Sequence, residues 1–107
     1  MPYTEAVIAE TLRYSSILPN GAFQRVVKDT EFRGYTIPKD TNILHNVLYI
    51  HFDPAVWVDP EKFRPERFLS VDEKVFKKNE ALMPFSTGRR QCLGETLVRH
   101  NLFFIRH

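Results

Sequence analysis

The sequence reads as an α+β protein, on three observations. Apolar residues recur at helical spacing at both ends of the chain: Val7, Ile8 and Leu12 near the start, and Leu93, Leu97, Val98, Leu102 and Ile105 near the finish. Between them lie short β-prone runs parted by Gly and Pro turns, followed by a proline-punctuated stretch with no clear period. The 107 residues, 43% of them hydrophobic, suffice for one small domain with a modest core.

Met1 to Ser16 has the pattern of a helix, with Pro2 in its first turn. Glu10 and Arg13 stand three residues apart and so are neighbours on it; by spacing alone they are an ordinary exposed ion pair. Pro19-Asn20-Gly21 stops the helix, and Ala22 to Val27 can then run as a strand. Phe32 to Thr41 contains two short strands around Gly34 and a second turn at Pro38-Lys39-Asp40. Ile43 to Leu48 follows as a strand leading into a short helix that ends near His51; its poor alternation suits burial on both faces. Neither His45 nor His51 has a second histidine or cysteine at ligand spacing, so both read as hydrogen-bonded side chains rather than metal ligands. Asp53-Pro54, Asp59-Pro60 and Arg64-Pro65 punctuate an irregular stretch in which Trp57 and Phe63 serve as packing anchors. Leu69 to Met83 is charged and loosely patterned, a solvated loop with one helical turn at most.

Charge and cysteine usage narrow the function classes. The formal net charge is +2, and the basic residues are scattered among acids, which by itself argues neither for nor against a nucleic-acid partner; none is expected. A single cysteine excludes an intramolecular disulfide framework and fits a reducing compartment. No apolar run is long enough to span a membrane, so an anchor would lie outside this chain.

That cysteine sits in Phe85-Ser86-Thr87-Gly88-Arg89-Arg90-Gln91-Cys92-Leu93-Gly94-Glu95. Gly88 and Gly94 can take positive φ and admit close approach of a planar group. A helix starting near Leu93 or Gly94 would turn its positive end toward Cys92 and favour the thiolate. On these grounds alone Cys92 is either a thiolate presented to a metal or a buried structural cysteine in a glycine-containing turn.

Phe85, Gly88, Arg90, Cys92 and Gly94 resemble, position by position, the haem-binding loop of cytochromes P450, Phe-x-x-Gly-x-Arg-x-Cys-x-Gly. The resemblance implies haem b as cofactor, with Cys92 as the proximal ligand whose electron push favours O–O cleavage. It implies that Arg90 pairs with a haem propionate and that Phe85 packs against the macrocycle. The Pro65-Glu66-Arg67-Phe68 run resembles the family's Pro-x-Arg-Phe segment, which assigns Glu10, Arg13 and Arg67 to a buried structural charge triad. Family members hold the second propionate with a histidine or arginine after the first turn; this chain has Gln24 followed by Arg25, and Arg25 is taken for the contact. Leu18, Ala22 and Phe23 are candidate substrate contacts, with ordinary packing the alternative. Lys77, Lys78 and Arg89 are candidates for attracting an acidic reductase, with solubility the alternative.

These motifs occur in the family's order along nearly the whole chain, and the run from His51 to Phe68 looks most like microsomal animal P450s of the xenobiotic and steroid type. Family members are several times longer. The resemblance therefore implies that 1–107 is the C-terminal part of a single P450 domain, mainly helical in its parent, whose N-terminal majority and extreme C-terminus are absent. The implied parent is a haem-thiolate monooxygenase that inserts one oxygen atom of O2 into an apolar organic substrate: a steroid, fatty acid or xenobiotic. Its electron donor would be NADPH–cytochrome P450 reductase, with cytochrome b5 as a second donor. Its place would be the cytosolic face of the endoplasmic reticulum membrane, held by the missing N-terminal anchor. The chain alone is expected to be inactive and to expose apolar surface that the parent covers. Two other readings stand beside this one: a truncated isoform that binds haem weakly or competes for the reductase, and an α+β module with a redox-sensitive Cys92.

Overall fold

The computed structural model describes residues 1–106. Helix α1 spans Pro2–Ser15, with Pro2 at a first-turn position where its missing N–H costs nothing. Ser16 ends it in the left-handed region at φ 36°, its N–H bonded to the Leu12 carbonyl. The buried side of α1 carries Thr4, Ala6, Ile8, Ala9, Glu10, Leu12 and Arg13. Two of these, Ala6 and Ala9, have side chains small enough to bring an aromatic layer close to the helix. The core joins them to Trp57, Phe68, Leu69 and Leu82, with Phe76 and Ala81 packed on its edge. Trp57 and Phe68 meet at 5.7 Å between ring centroids, and Phe68 stacks on Phe76 at 6.2 Å. The Trp57 indole N–H donates to the Ile50 carbonyl at 2.9 Å, so its burial strands no polar group.

Two antiparallel ribbons follow α1. Strand β1 (Gln24–Arg25) pairs with β4 (Asn42–Ile43), and β2 (Thr30–Phe32) pairs with β3 (Tyr35–Ile37). The β2–β3 hairpin turns on Arg33 and Gly34, both at positive φ (49° and 83°), the sign that lets a two-residue turn follow the strand twist. Helix α2 (Val47–Phe52) is capped by the Asn46 side chain, which accepts from Tyr49 N–H. After a 3-10 turn at Pro65–Phe68 and an irregular stretch, a second 3-10 turn (Gly88–Arg90) leads to α3 (Glu95–Arg106). Three helices and short antiparallel strands make the chain α+β, consistent with part of a P450 fold. Among the described residues no helix is long and apolar enough to cross a membrane.

Several expectations need correction. The strand expected over 22–27 is confined to Gln24–Arg25: Val26 still meets Thr41 in register, but Asp40, at φ 68°, bulges on the partner side and donates its N–H to the Val26 carbonyl, which ends the regular ladder. Burial on both faces does not hold for 43–48: Ile43 and Leu44 are 39% and 47% exposed, since a two-stranded ribbon with no layer over it leaves its faces open. Trp57 is a packing anchor at 2% exposure, but Phe63 is half exposed and meets the rim aromatic Tyr14, edge to face at 6.0 Å. The charged stretch after Leu69 holds no helical turn. It forms instead a small loop closed by Ser70 N–H to Val75 O and Lys77 N–H to Phe68 O, with Leu69 and Leu82 buried at its ends. The expected last helix runs through Arg106, and His107 lies outside the described residues.

Candidate functional site

Two features bear on function: a buried ion cluster, and an open cleft that Arg90 of the cysteine loop helps to line. The cluster brings together Glu10, Arg13 and Arg67. Arg13 binds Glu10 through two nitrogens, Nε to Oε2 and Nη2 to Oε1, each at 2.8 Å, with both side chains at 0% exposure. Arg67 Nε reaches the same Oε1 at 3.2 Å, and the Arg64 backbone N–H does so at 2.9 Å. Backbone carbonyls complete the arginines: His51 and Pro60 for Arg13, and Val58, Asp59 and Lys62 for Arg67. Burial pulls the Arg67 guanidinium below the usual arginine range while Glu10 pushes it back up; it stays a cation. The exposed ion pair that spacing alone suggests is thus a buried one.

The loop itself is closed by Cys92 N–H donating to the Phe85 carbonyl at 2.9 Å and by Gln91 N–H donating to Gly88 at 3.2 Å. Gly88 lies at φ 79°, as its expected freedom requires. Gly94 is not in the left-handed region; positive φ among the glycines occurs at Gly21, Gly34 and Gly88. A Cβ at Gly94 would meet the Cys92 sulfur at 3.7 Å, an ordinary van der Waals contact, so within this chain neither torsion nor a clash demands glycine there. Cys92 is exposed, which disagrees with a buried structural cysteine. Helix α3 starts at Glu95, one residue past the expected place, with Val98 N–H bonded to the Gly94 carbonyl.

A polar brace that sequence reasoning missed ties the loop to α3. Glu95 accepts from Arg99 Nε at 2.8 Å and from the Gln91 side-chain amide. The Arg99 guanidinium lies 5.6 Å from the centroid of Phe85. Burial raises the Glu95 pKa, but these hydrogen bonds and the Arg99 charge outweigh it and carry the group below the usual carboxylate range. The Glu95–Arg99 spacing of four was the available signal. Phe85, expected against a macrocycle, here lies against Arg99.

Beside the loop, a cleft of about 430 Å3 is lined by Phe23, Gln24, Arg25, Val27 and Arg90. Arg25 and Arg90, far apart in sequence, thus reach one cavity. Arg25 also pairs loosely with Asp40 at 3.5 Å, both side chains being largely exposed. Phe23 is 72% exposed, as is most of Leu18, so neither belongs to a core. Lys77, Lys78 and Arg89 are exposed. Among the described residues no three His, Cys, Asp or Glu side chains converge as a metal site, so a metal held by Cys92 would have to bring most of its donors with it. A planar, largely apolar group that brings its own metal donors and two carboxylates would fit an exposed sulfur, the open space at Gly88 and two guanidiniums on one cleft.

The known proteins that resemble this chain belong to one family. The family model for Cytochrome P450 matches residues 1–107. Cytochrome P450 2F5 of Gorilla gorilla gorilla is 50% identical over 103 residues, covering 96% of this chain and 21% of that protein. Cytochrome P450 2F1 of Homo sapiens and cytochrome P450 2B9 of Mus musculus are each 48% identical over the same length and with the same coverage. The chain spans about a fifth of the length of the curated relatives it matches. Matched along its full length and at this identity, the chain belongs to the cytochrome P450 family.

Proposed function

We propose that this chain is the cysteine-ligand part of a haem-thiolate monooxygenase, with haem b as cofactor. The observation that carries the reading is the convergence of Arg25 and Arg90 on one cleft beside a loop that exposes Cys92. In this reading Cys92 Sγ would hold the haem iron, Arg90 would bind one propionate, and Arg25 would exchange Asp40 for the other. Gly88 and Gly94 leave space for the ring, and Phe85 turns from Arg99 toward it. When bound, the haem supplies the one-electron and O2 chemistry. Phe23 and Leu18 present apolar surface to an organic substrate, and Lys77, Lys78 and Arg89 present positive charge to an acidic electron donor, an NADPH-dependent reductase with cytochrome b5 as a second donor. Glu10, Arg13 and Arg67 are structural. The chain is the C-terminal part of one P450 domain in a protein at the cytosolic face of the endoplasmic reticulum. Alone it turns over no substrate.

The test is the absorption spectrum of the chain reconstituted with haem, reduced, and exposed to carbon monoxide, beside Cys92→Ala. A strongly red-shifted Soret band present in the wild type and lost in the variant is the expected result. An imidazole-type band equal in both proteins would assign binding to one of the four histidines and sink the proposal. Arg90→Ala should weaken haem binding by about tenfold, the scale of one charged hydrogen bond. Arg25→Ala should weaken it less, because Arg25 must first leave Asp40.

A further inference from the structure

His51 lies in the last turn of α2, is fully buried, and is held at three points. Its carbonyl accepts from Arg13 Nη1 at 2.6 Å. Its Nδ1 lies 2.9 Å from Ser16 Oγ, and its Nε2 faces the Met83 backbone N–H at 3.1 Å. An amide N–H can only donate, so Nε2 must carry a lone pair and Nδ1 the proton. Ser16 Oγ then accepts from Nδ1–H and donates its own O–H to the Arg13 carbonyl at 2.8 Å. Beyond Met83 the chain of bonds continues: Ser86 N–H donates to the Met83 carbonyl, and Cys92 N–H donates to the Phe85 carbonyl. One neutral tautomer therefore links the end of α1 to the turn that opens the cysteine loop.

We propose that His51 is a positioning residue for this loop: as the acceptor for Met83 N–H, its neutral imidazole fixes the Met83–Ser86 turn and with it the Phe85 carbonyl that holds Cys92. Protonation would put an N–H on both ring nitrogens and set Nε2–H against Met83 N–H. The charged groups around the ring are Arg13, in contact through the His51 carbonyl, and behind it Glu10 and Arg67; residues 81–85 bring no titratable side chain. Burial first, and then the Arg13 charge, lower the His51 pKa to about 4, so the acceptor persists at neutral pH. The restraint belongs to the chain without its cofactor, so its test is independent of haem binding.

The measurement is amide hydrogen exchange, by NMR on the 107-residue chain without haem, of Met83, Ser86 and Cys92 relative to Ala9 in α1. His51→Gln can place its side-chain oxygen where Nε2 sits, whereas His51→Asn reaches only the Nδ1 position. Relative protection at the three amides should fall about tenfold or more in His51→Asn, the scale of one lost buried hydrogen bond, and stay within about threefold of wild type in His51→Gln. In the wild type the three amides should lose relative protection together along the titration of the His51 ring, an acid step that His51→Gln lacks. Equal effects of the two substitutions, or wild-type protection indifferent to that titration, would overturn the proposal. If both variants unfold, the wild-type titration decides.

Discussion

Glu10 accepts four hydrogen bonds on two oxygens while fully buried, from Arg13 twice, Arg64 N–H and Arg67. One carboxylate cannot neutralise two guanidiniums, and the surplus is met by the carbonyl dipoles around them. Glu10→Gln should therefore cost on the order of 3–5 kcal/mol, because it leaves two buried cations with dipoles alone. Urea unfolding of the two proteins would measure it, and a loss under 1 kcal/mol would mean that the carbonyls suffice. His51 gives a second effect, on pH. Its folded pKa, about 4, lies below the unfolded 6.5, so between these values the unfolded chain binds more protons. The contribution is complete above pH 6.5 and is lost as the pH falls through 4. It amounts to roughly 3 kcal/mol, seen as the part of the acid-induced drop in urea midpoint that His51→Gln removes.

Secondary-structure elements show where local patterning stops informing. Helix α1 was legible from its period, and the β2–β3 hairpin from Gly34, because a positive-φ turn needs such a residue. Gly34→Ala should cost about 1 kcal/mol, since a Cβ there meets nothing within 4 Å and only the backbone conformation objects. Gly34→Asn should recover part of it, and thermal unfolding of both variants would check the order. The exposure of the ribbons was not legible, because alternation reports on a strand only when some layer covers one face. The same holds for Phe63 against Trp57: both are aromatic residues in a proline-punctuated stretch, and only the tertiary position beside Ala6, Ala9 and Phe68 makes one of them core. Glycine at 94 was expected to take positive φ and does not, and a Cβ there would meet the neighbouring sulfur only at ordinary contact distance, so nothing within this chain explains it.

Across the chain as one body, the cysteine loop motif was readable because side chains of fixed type recur at fixed spacing, whereas the Glu10, Arg13 and Arg67 cluster was readable only through the resemblance to a family's motifs, spacing alone suggesting an exposed pair. The contacts made through the main chain were not, since a carbonyl carries no signature in the sequence. His51 shows the limit: it is hydrogen-bonded as expected, and one of its two ring partners is a backbone N–H that any non-proline residue at position 83 would provide. The exposed apolar residues Ile17, Phe23, Leu97 and Phe104 are similarly without context inside a chain that spans a fifth of its relatives. The arginines of the ion cluster take their remaining bonds from the carbonyls of residues 51, 58, 59, 60 and 62. Because carbonyls are common to every amino acid, the letters between 58 and 62 are free to drift wherever their side chains face water, whereas the number of letters is not. A register of main-chain oxygens is counted rather than spelled, and a single insertion or deletion there would misplace them all while leaving every motif residue intact.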